Sequence, residues 1–289
     1  MDIQAISDAA TVAVACAIVY LIVAKSWQIL SRVFTINPSF ADSIMSEAAQ
    51  RFRDQLQLLS RRQSTYLGAG LVFVVMYSAA SLFQGPQLFV GYPDWQLYIL
   101  LTALVAAALF ALYRLLHTVF TWRQVRFLRD ANIAIGHQLQ RIANGHGRAY
   151  HDVPTSAGVV DHLLLGHNGV YAINVIAKRH LKKGSAQLDG NILSFSTCKK
   201  SLSIVEIIAK SNRLKKELSK QTGHDINVRS VIAVPGWHAA EQTCVDNLLV
   251  NERTLAMISG WKDQADYLMD EDVASLQKYL TEICKRTTL

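Results

Sequence analysis

Three apolar runs occupy much of the first 120 residues, and they constrain the fold more than any other feature of the sequence. They lie at residues 9–24, 67–83 and 97–120, and the last contains Arg114 near its end. A membrane-spanning helix needs about 20 apolar residues, and one buried helix of a soluble protein would explain one such run but not three. We therefore predict three transmembrane helices, at about residues 9–27, 66–84 and 97–120.

The distribution of basic residues predicts how these helices are oriented. Residues 25–66 contain six Lys and Arg, and residues 84–96 contain none. Arg123, Arg126 and Arg129 follow the third run. Because basic loops stay on the cytoplasmic side, we expect the N-terminus outside and the C-terminal part inside, as in a bacterial inner membrane protein. The acidic start of the chain is not typical of a signal peptide.

The remainder of the chain, residues 123–289, is predicted to form a cytoplasmic α/β domain with a mixed sheet. Residues 121–143 either continue the third membrane helix or form a second helix joined to it near residues 130–132. The Asn168-Gly169 pair between two apolar strands predicts a tight hairpin turn. The predicted strands lie at residues 149–153, 159–165, 170–176, 191–195, 228–234 and 247–250, and the helices at 203–220, 252–259 and 270–285.

The basic surplus belongs to this second part, where 22 Lys and Arg face 16 Asp and Glu over residues 121–289. Such a surplus can follow a nucleic-acid backbone, face an anionic membrane surface, or be an ordinary solvated surface. The sequence does not separate DNA or RNA from lipid as the partner. The four cysteines are isolated, with no CxxC spacing, which indicates reduced thiols. The candidate binding residues are Lys178, Arg179, Lys182, Lys183, Lys199, Lys200, Lys210, Arg213, Lys215 and Lys216.

The stretch VVDHLLLGHNGVYAINVIAKR, residues 159–179, resembles the centre of the nuclease-related domain (NERD) family. VIAVPGW at 231–237 and NLLVNERTLAMI at 247–258 resemble the closing strand and helix of that family, so the similarity covers roughly residues 131–260. The resemblance implies a restriction-endonuclease-like fold. In such a fold, carboxylates on neighbouring strands hold Mg²⁺ beside a phosphate, and a lysine stabilises the developing charge.

The chain departs from the family pattern at the positions that would bind the metal. The resemblance places Asp161 and His162 on the first strand of the site. Asn174 stands where the family has Glu, and Ile176 stands where it has Lys. The Gly-Glu of the first helix is Gly136-His137 here. One carboxylate therefore matches the pattern.

Three hypotheses follow for the function of the chain. In the first, the domain has lost metal-dependent cleavage, needs no cofactor, and binds nucleic acid, another protein or a second copy of the chain. In the second, an active Mg²⁺-dependent nuclease uses Asp161 as metal ligand, a relocated carboxylate such as Asp152 or Glu206, and Lys178 as the catalytic lysine. That lysine would share a strand face with Asn174 if the strand continued. In the third, the chain is a structural membrane protein whose basic patch faces lipid.

Overall fold

The computed structural model describes residues 3–33, 45–82, 91–179, 184–240, 247–260 and 266–285. The chain divides into two compact units. The first, called here the helical unit, comprises Met1–Asn37 and Asp54–Val125. The second, called here the sheet unit, comprises Pro38–Arg53 and Arg126–Leu289. A segment between the first two apolar runs therefore groups with the C-terminal part of the chain.

Three long helices make up the first part of the chain: α1 (Ile3–Val33), α2 (Gln50–Leu82) and α3 (Asp94–His146). Each contains a stretch that is long and apolar enough to cross a membrane, by length and composition. The prediction of three apolar N-terminal helices is thus confirmed. Between α1 and α2, Gln28 Nε2 donates a hydrogen bond to Thr65 Oγ1 at 2.9 Å.

All three helices extend beyond the apolar runs that predicted them. Hydropathy marks the lipid-compatible part of a helix, whereas the helix itself continues through polar residues that favour helical backbone. Residues 51–64 of α2 contain no Gly or Pro that would stop it. For the same reason α3 is a single helix of 53 residues, and no break occurs near residues 130–132.

The sheet unit is built from short strands and three further helices over the described residues. The first three strands form two hairpins, and Gly169 at the second turn has φ of 115°, as the Asn-Gly pair predicts. The elements are β1 (Arg148–Thr155), β2 (Gly158–Gly166), β3 (Gly169–Val175), β4 (Ser185–Asp189), β5 (Ile192–Phe195), β6 (Cys198–Ser203), α4 (Val205–Thr222), β7 (Val228–Ala233), β8 (His238–Ala239), β9 (Asn247–Val250), α5 (Met257–Gly260) and α6 (Asp270–Ile283).

The main sheet has five strands in the order β1-β2-β3-β7-β9. The pairs β1–β2 and β2–β3 are antiparallel, whereas β3–β7 and β7–β9 are parallel. The sheet is therefore mixed, as the order of strand and helix patterns predicted. The parallel pairs need long connections, and α4 lies within the one between β3 and β7.

Helices cover both faces of the main sheet. On one face, Leu214 of α4 and Leu276 of α6 pack into a core with β1, β2 and β3. On the other face, Ile135 and Leu139 of α3 pack against β2, β3, β7 and β9. Cys284 lies in the first core, where burial raises the pKa of its thiol to about 12 and keeps it neutral. This layered arrangement buries the strands from both sides.

A second, four-stranded sheet with the order β6-β5-β4-β8 was not predicted. Its β4 strand buries Ala186 and Leu188 and exposes Gln187, which lies between them. A five-residue strand with a small alanine as one inward residue has too weak an apolar alternation to be recognised from sequence. Trp237 and Phe195 form the centre of its core, with ring centroids 4.7 Å apart.

Candidate active site

Three polar side chains lie in a row across β1, β2 and β3. In the β1–β2 ladder, His151 pairs with His162 and Val153 pairs with Val160. This register places Asp152 opposite Asp161. On the other side, the ladder pairs His162 with Ile173, and one residue further it places Asn174 across from Asp161. Residues directly opposite each other share a sheet face. The strands therefore bring two carboxylates and one amide together. Asp152, Asp161 and Asn174 are called here the carboxylate row.

Arg51, at the start of α2, contacts both carboxylates. Its Nη2 donates a hydrogen bond to Asp161 Oδ1. Its backbone N–H donates to Asp152 Oδ2 at 3.0 Å, and its Nε lies 3.8 Å from Asp152 Oδ1. The side chains of Asp152 and Asp161 are 9% and 10% exposed, against 31% for Arg51. One partly exposed guanidinium therefore pairs with two nearly buried acids.

Burial dominates the electrostatics of this row. It raises the pKa of the Asp161 carboxyl, while Arg51, the Val175 N–H and Lys210 act in the opposite direction. The Val175 N–H donates to Asp161 Oδ2 at 2.7 Å. Burial also raises the pKa of Asp152, and the charge of Asp161 raises it further. Like charges on facing positions destabilise a strand pair, and the Arg51 guanidinium opposes the rise in the pKa of both acids.

This arrangement does not fit the Mg²⁺ site that the resemblance implies. Both oxygens of Asp161 already accept hydrogen bonds, one from Arg51 and one from Val175. Asn174 offers one neutral oxygen, and its buried Nδ2 has no hydrogen-bond partner in the described part of the chain. No group of three His, Cys, Asp or Glu side chains that could hold a metal occurs among the described residues. A hard cation would have to displace Arg51.

The position of Lys178 differs from the one expected for a catalytic lysine. Strand β3 ends at Val175, so the alternation that would place Lys178 on the face of Asn174 does not extend to it. Its ammonium lies 4.7 Å from the ring centroid of Phe195, in the second sheet. The neighbouring Arg179 lies over the ring of Phe127 at 5.3 Å.

The other basic candidates are only partly available for an anionic partner. Arg213 donates to Ser156 Oγ and lies 3.5 Å from Glu217, and Lys215 lies 3.1 Å from Asp225. Lys182 and Lys183 lie outside the described residues, and for Lys199 and Lys200 the backbone alone is described.

Two candidate lysines of α4 remain, Lys210 and Lys216, and Lys220 lies one turn beyond them on the same helix. Lys216 and Lys220 are exposed and form no ion pair with any described residue, whereas Lys210 is half-buried and contributes to the field at Asp161. Glu206, one of the carboxylates proposed as a relocated metal ligand, is exposed on the first turn of the same helix.

Two buried histidines, His151 and His162, form a pair beside the carboxylate row. Their Nδ1 atoms are 2.9 Å apart, and the Nε2 of His151 lies 3.4 Å from Gln140 Nε2. Burial lowers the pKa of His151 to about 4 and that of His162 to about 3. Both rings are therefore neutral at pH 7, and one Nδ1 donates a hydrogen bond to the other. His137 is exposed and takes no part in this pair.

Gly136 lies where α3 passes close to Ala48. An added Cβ would lie 2.6 Å from the Cβ of Ala48 and 3.5 Å from Cε1 of His162. Because a methyl group cannot rotate away, we expect Gly136→Ala to lower the free energy of unfolding of the sheet unit by about 1–3 kcal/mol. Thermal unfolding of the full-length protein in detergent measures the effect.

Gly70→Ala is the matched control for this substitution. Gly70 also lies in a helix, but nothing lies within 4 Å of its added Cβ, so the change should be neutral or slightly stabilising. Equal unfolding temperatures for the two variants would contradict a close contact between Gly136 and Ala48.

Sequence reasoning identified Asp161, His162 and Asn174. It missed Arg51, the residue that contacts both acids of the row. Arg51 is 110 residues from Asp161 in the chain and entered the prediction only as a charge near a membrane helix. Asp152 was one of two proposed relocated carboxylates, and it is the one that lies next to Asp161. No local pattern marks either contact.

Comparison with known proteins identifies the fold of this region. Residues 129–235 match the family model described as the nuclease-related domain, NERD. No curated protein and no solved structure matches the chain. The matched region contains α3 from Arg129 onward, the first eight elements of the sheet unit and the whole of the carboxylate row, but it does not contain Arg51. Residues 129–235 of this chain are therefore similar to the nuclease-related domain family.

Proposed function

We propose that the sheet unit is a nuclease-fold binding module that has lost metal-dependent cleavage. The observation that supports this proposal is the state of Asp161, whose carboxylate is already paired with Arg51 while Asn174 takes the place of the second family carboxylate. A nuclease of this kind needs carboxylate oxygens that are free to hold a hard cation beside the scissile phosphate. Here those oxygens are committed to the protein itself.

The ligand that we propose is DNA or RNA. Lys210, Lys216 and Lys220 lie on the part of α4 that does not face the core, whose buried residues are Ser211, Leu214 and Leu218. A phosphate backbone is bound mainly through such cations, independently of its base sequence. The pairing of Arg213 and Lys215 with nearby acids leaves a smaller basic surface than the sequence suggests, so we expect weak, salt-dependent binding.

We further propose that α1, α2 and α3 anchor this module to the cytoplasmic face of a bacterial inner membrane. Side chains of α3 such as Leu109 and Phe110 are 62% and 64% exposed, which suits contact with lipid. The orientation rests on the charge distribution, with six Lys and Arg in residues 25–66 and none in residues 84–96. A cysteine-accessibility assay on intact cells, with probes at residues 88 and 220, would test it.

The binding proposal predicts a mobility shift without cutting. Full-length protein in detergent should retard linear DNA, circular DNA or RNA at low salt, and added Mg²⁺ or Mn²⁺ should leave the nucleic acid intact. Lys216→Glu should weaken this binding by about three- to tenfold near 100 mM salt, since one phosphate contact is lost and a repulsion is added. Lys278→Glu, an equal charge change at an exposed site on α6, should have little effect.

Three outcomes would contradict the proposal. Metal-dependent cutting that is abolished by Asp161→Ala would favour an active nuclease. Binding to anionic nanodiscs in place of nucleic acid, equally sensitive to Lys216→Glu, would favour a lipid-facing patch. No binding of either ligand would leave a structural membrane protein as the better description.

A further inference from the structure

We infer that the Arg51 guanidinium occupies the cation position of the carboxylate row, so that the pair Asp152 and Asp161 is a divalent-cation site closed by a cation of the chain itself. This inference concerns the cation site alone, and it does not depend on whether the module binds nucleic acid.

The charges of the row support this assignment. Two carboxylates face each other across β1 and β2, and both side chains are about nine-tenths buried. Such a pair is stable only if a proton or a cation lies between the acids, because desolvation and repulsion act together. Arg51 is the one residue in the described part of the chain that forms ion pairs with both acids. Lys210 adds to the field at Asp161 without forming an ion pair with it.

The backbone on both sides of the Arg51 contact has an unusual conformation. Among the described residues, two that are not glycine have φ in the left-handed region, Ala49 at 63° and Asp152 at 52°. Ala49 lies two residues before Arg51, and Asp152 is the acid that the Arg51 backbone N–H binds. Such a conformation is unfavourable for alanine and persists there only where the surroundings impose it, whereas aspartate adopts it more readily. Both instances lie at the same contact.

A covalently attached guanidinium also competes well against a free metal ion. Held by the helix start, Arg51 is present at an effective concentration that millimolar Mg²⁺ does not match. Its planar group satisfies Asp161 while the backbone N–H satisfies Asp152, so two anchor points of one residue hold the pair. A divalent ion should therefore enter the row only when Arg51 is shortened.

The test uses full-length protein in detergent, Mn²⁺ as the probe, and two readouts. Electron paramagnetic resonance measures bound Mn²⁺, and thermal unfolding measures stabilisation by it. We expect wild type to bind no Mn²⁺ at this site and to show no Mn²⁺-dependent shift. Arg51→Ala and Arg51→Gln should unfold at lower temperature without metal. With Mn²⁺, each should bind about one ion, at least tenfold more tightly than wild type, and regain about 3–5 °C.

Two controls locate the effect. Asp161→Asn in the Arg51→Ala background should abolish both the bound ion and the thermal shift. Arg53→Ala removes a cation two residues further along α2 that pairs with exposed Glu47, and it should behave like wild type.

The inference falls if wild type binds Mn²⁺ at Asp161 as tightly as Arg51→Ala does. It also falls if the folded Arg51 variants neither bind Mn²⁺ nor gain stability from it. If both variants fail to fold even when they are purified with Mn²⁺, a divalent ion does not replace the guanidinium, and the inference is equally overturned.

Discussion

Replacing Trp237 with alanine is expected to lower the free energy of unfolding of the sheet unit by about 3–5 kcal/mol. Trp237 is 1% exposed and packs against Phe195 at the centre of the second sheet. Its Nε1 donates to the carbonyl of Lys178 at 3.0 Å, and its own carbonyl accepts from Asn251 Nδ2 at 3.0 Å. The indole thus joins the segment after β3 to the second sheet, and its loss leaves a large cavity.

A drop on the order of 10 °C in unfolding temperature would correspond to this loss. Trp237→Phe keeps an aromatic ring but removes the N–H donor, so it should cost less, about 1–2 kcal/mol. Trp95→Ala, at a residue that is 62% exposed, controls for the loss of a tryptophan and should change stability little. If Trp237→Ala were as mild as Trp95→Ala, the second sheet would not depend on this core.

Acidification from pH about 6.5 to about 4.5 is expected to destabilise the sheet unit through the His151–His162 pair. Burial lowers the pKa of His151 from 6.5 to about 4 and that of His162 to about 3. Below pH 6.5 the unfolded chain therefore binds protons that the folded chain does not. The stabilisation is fully present above pH 6.5 and is lost as the pH falls, by up to about 5 kcal/mol for two protons over two pH units.

The carboxylate row changes the pH dependence of the free energy of unfolding in the opposite direction. Burial raises the pKa of Asp152 and Asp161 above 3.8, so just above that pH the folded chain retains protons that the unfolded chain has lost. Their contribution to stability therefore falls as the pH rises. The histidine effect must be measured as a difference between variants.

Chemical unfolding of wild type and of the double variant His151→Gln/His162→Gln, followed at several pH values, gives this difference. The variant should lose most of the dependence on pH between about 6.5 and 4.5. His137→Gln, at an exposed position of α3, should retain it. Should the double variant not fold, a wild-type stability that is flat across this range would by itself refute the prediction.

The long apolar helices and the strands with strong patterns were predictable because their signals are local. Strands β2 and β3 have apolar runs joined by an Asn-Gly turn, and α4 and α6 have apolar residues at helical spacing. The second sheet was not predictable, since β4 and β6 are short and polar, and the inward residues of β4, Ala186 and Leu188, are recognisable only from their packing in the core around Trp237. The spacing of apolar residues predicts which face of a helix or strand is buried. It does not predict which other element covers that face.

The candidate site divides in the same way. Asp161 and Asn174 were recognisable by resemblance to the family, and the hairpin register that faces them follows from the turn. The role that we propose for Asp161 depends on its partner Arg51, because an ion-paired carboxylate cannot offer the same oxygens to a metal. That partner lies outside the matched region, at the start of a helix that the sequence assigned to the membrane part.

The sequence by itself determined that this chain has three apolar helices followed by a nuclease-related α/β domain, because composition and period along the chain specify such elements. Only the tertiary structure decided that Arg51 reaches Asp161 across 110 residues and that Asp152 stands opposite it. Contacts between residues so far apart in the sequence depend on how whole helices and strands pack. No short stretch of the chain contains that information. The state of the site, and with it the proposed loss of cleavage, is therefore a property of the packing.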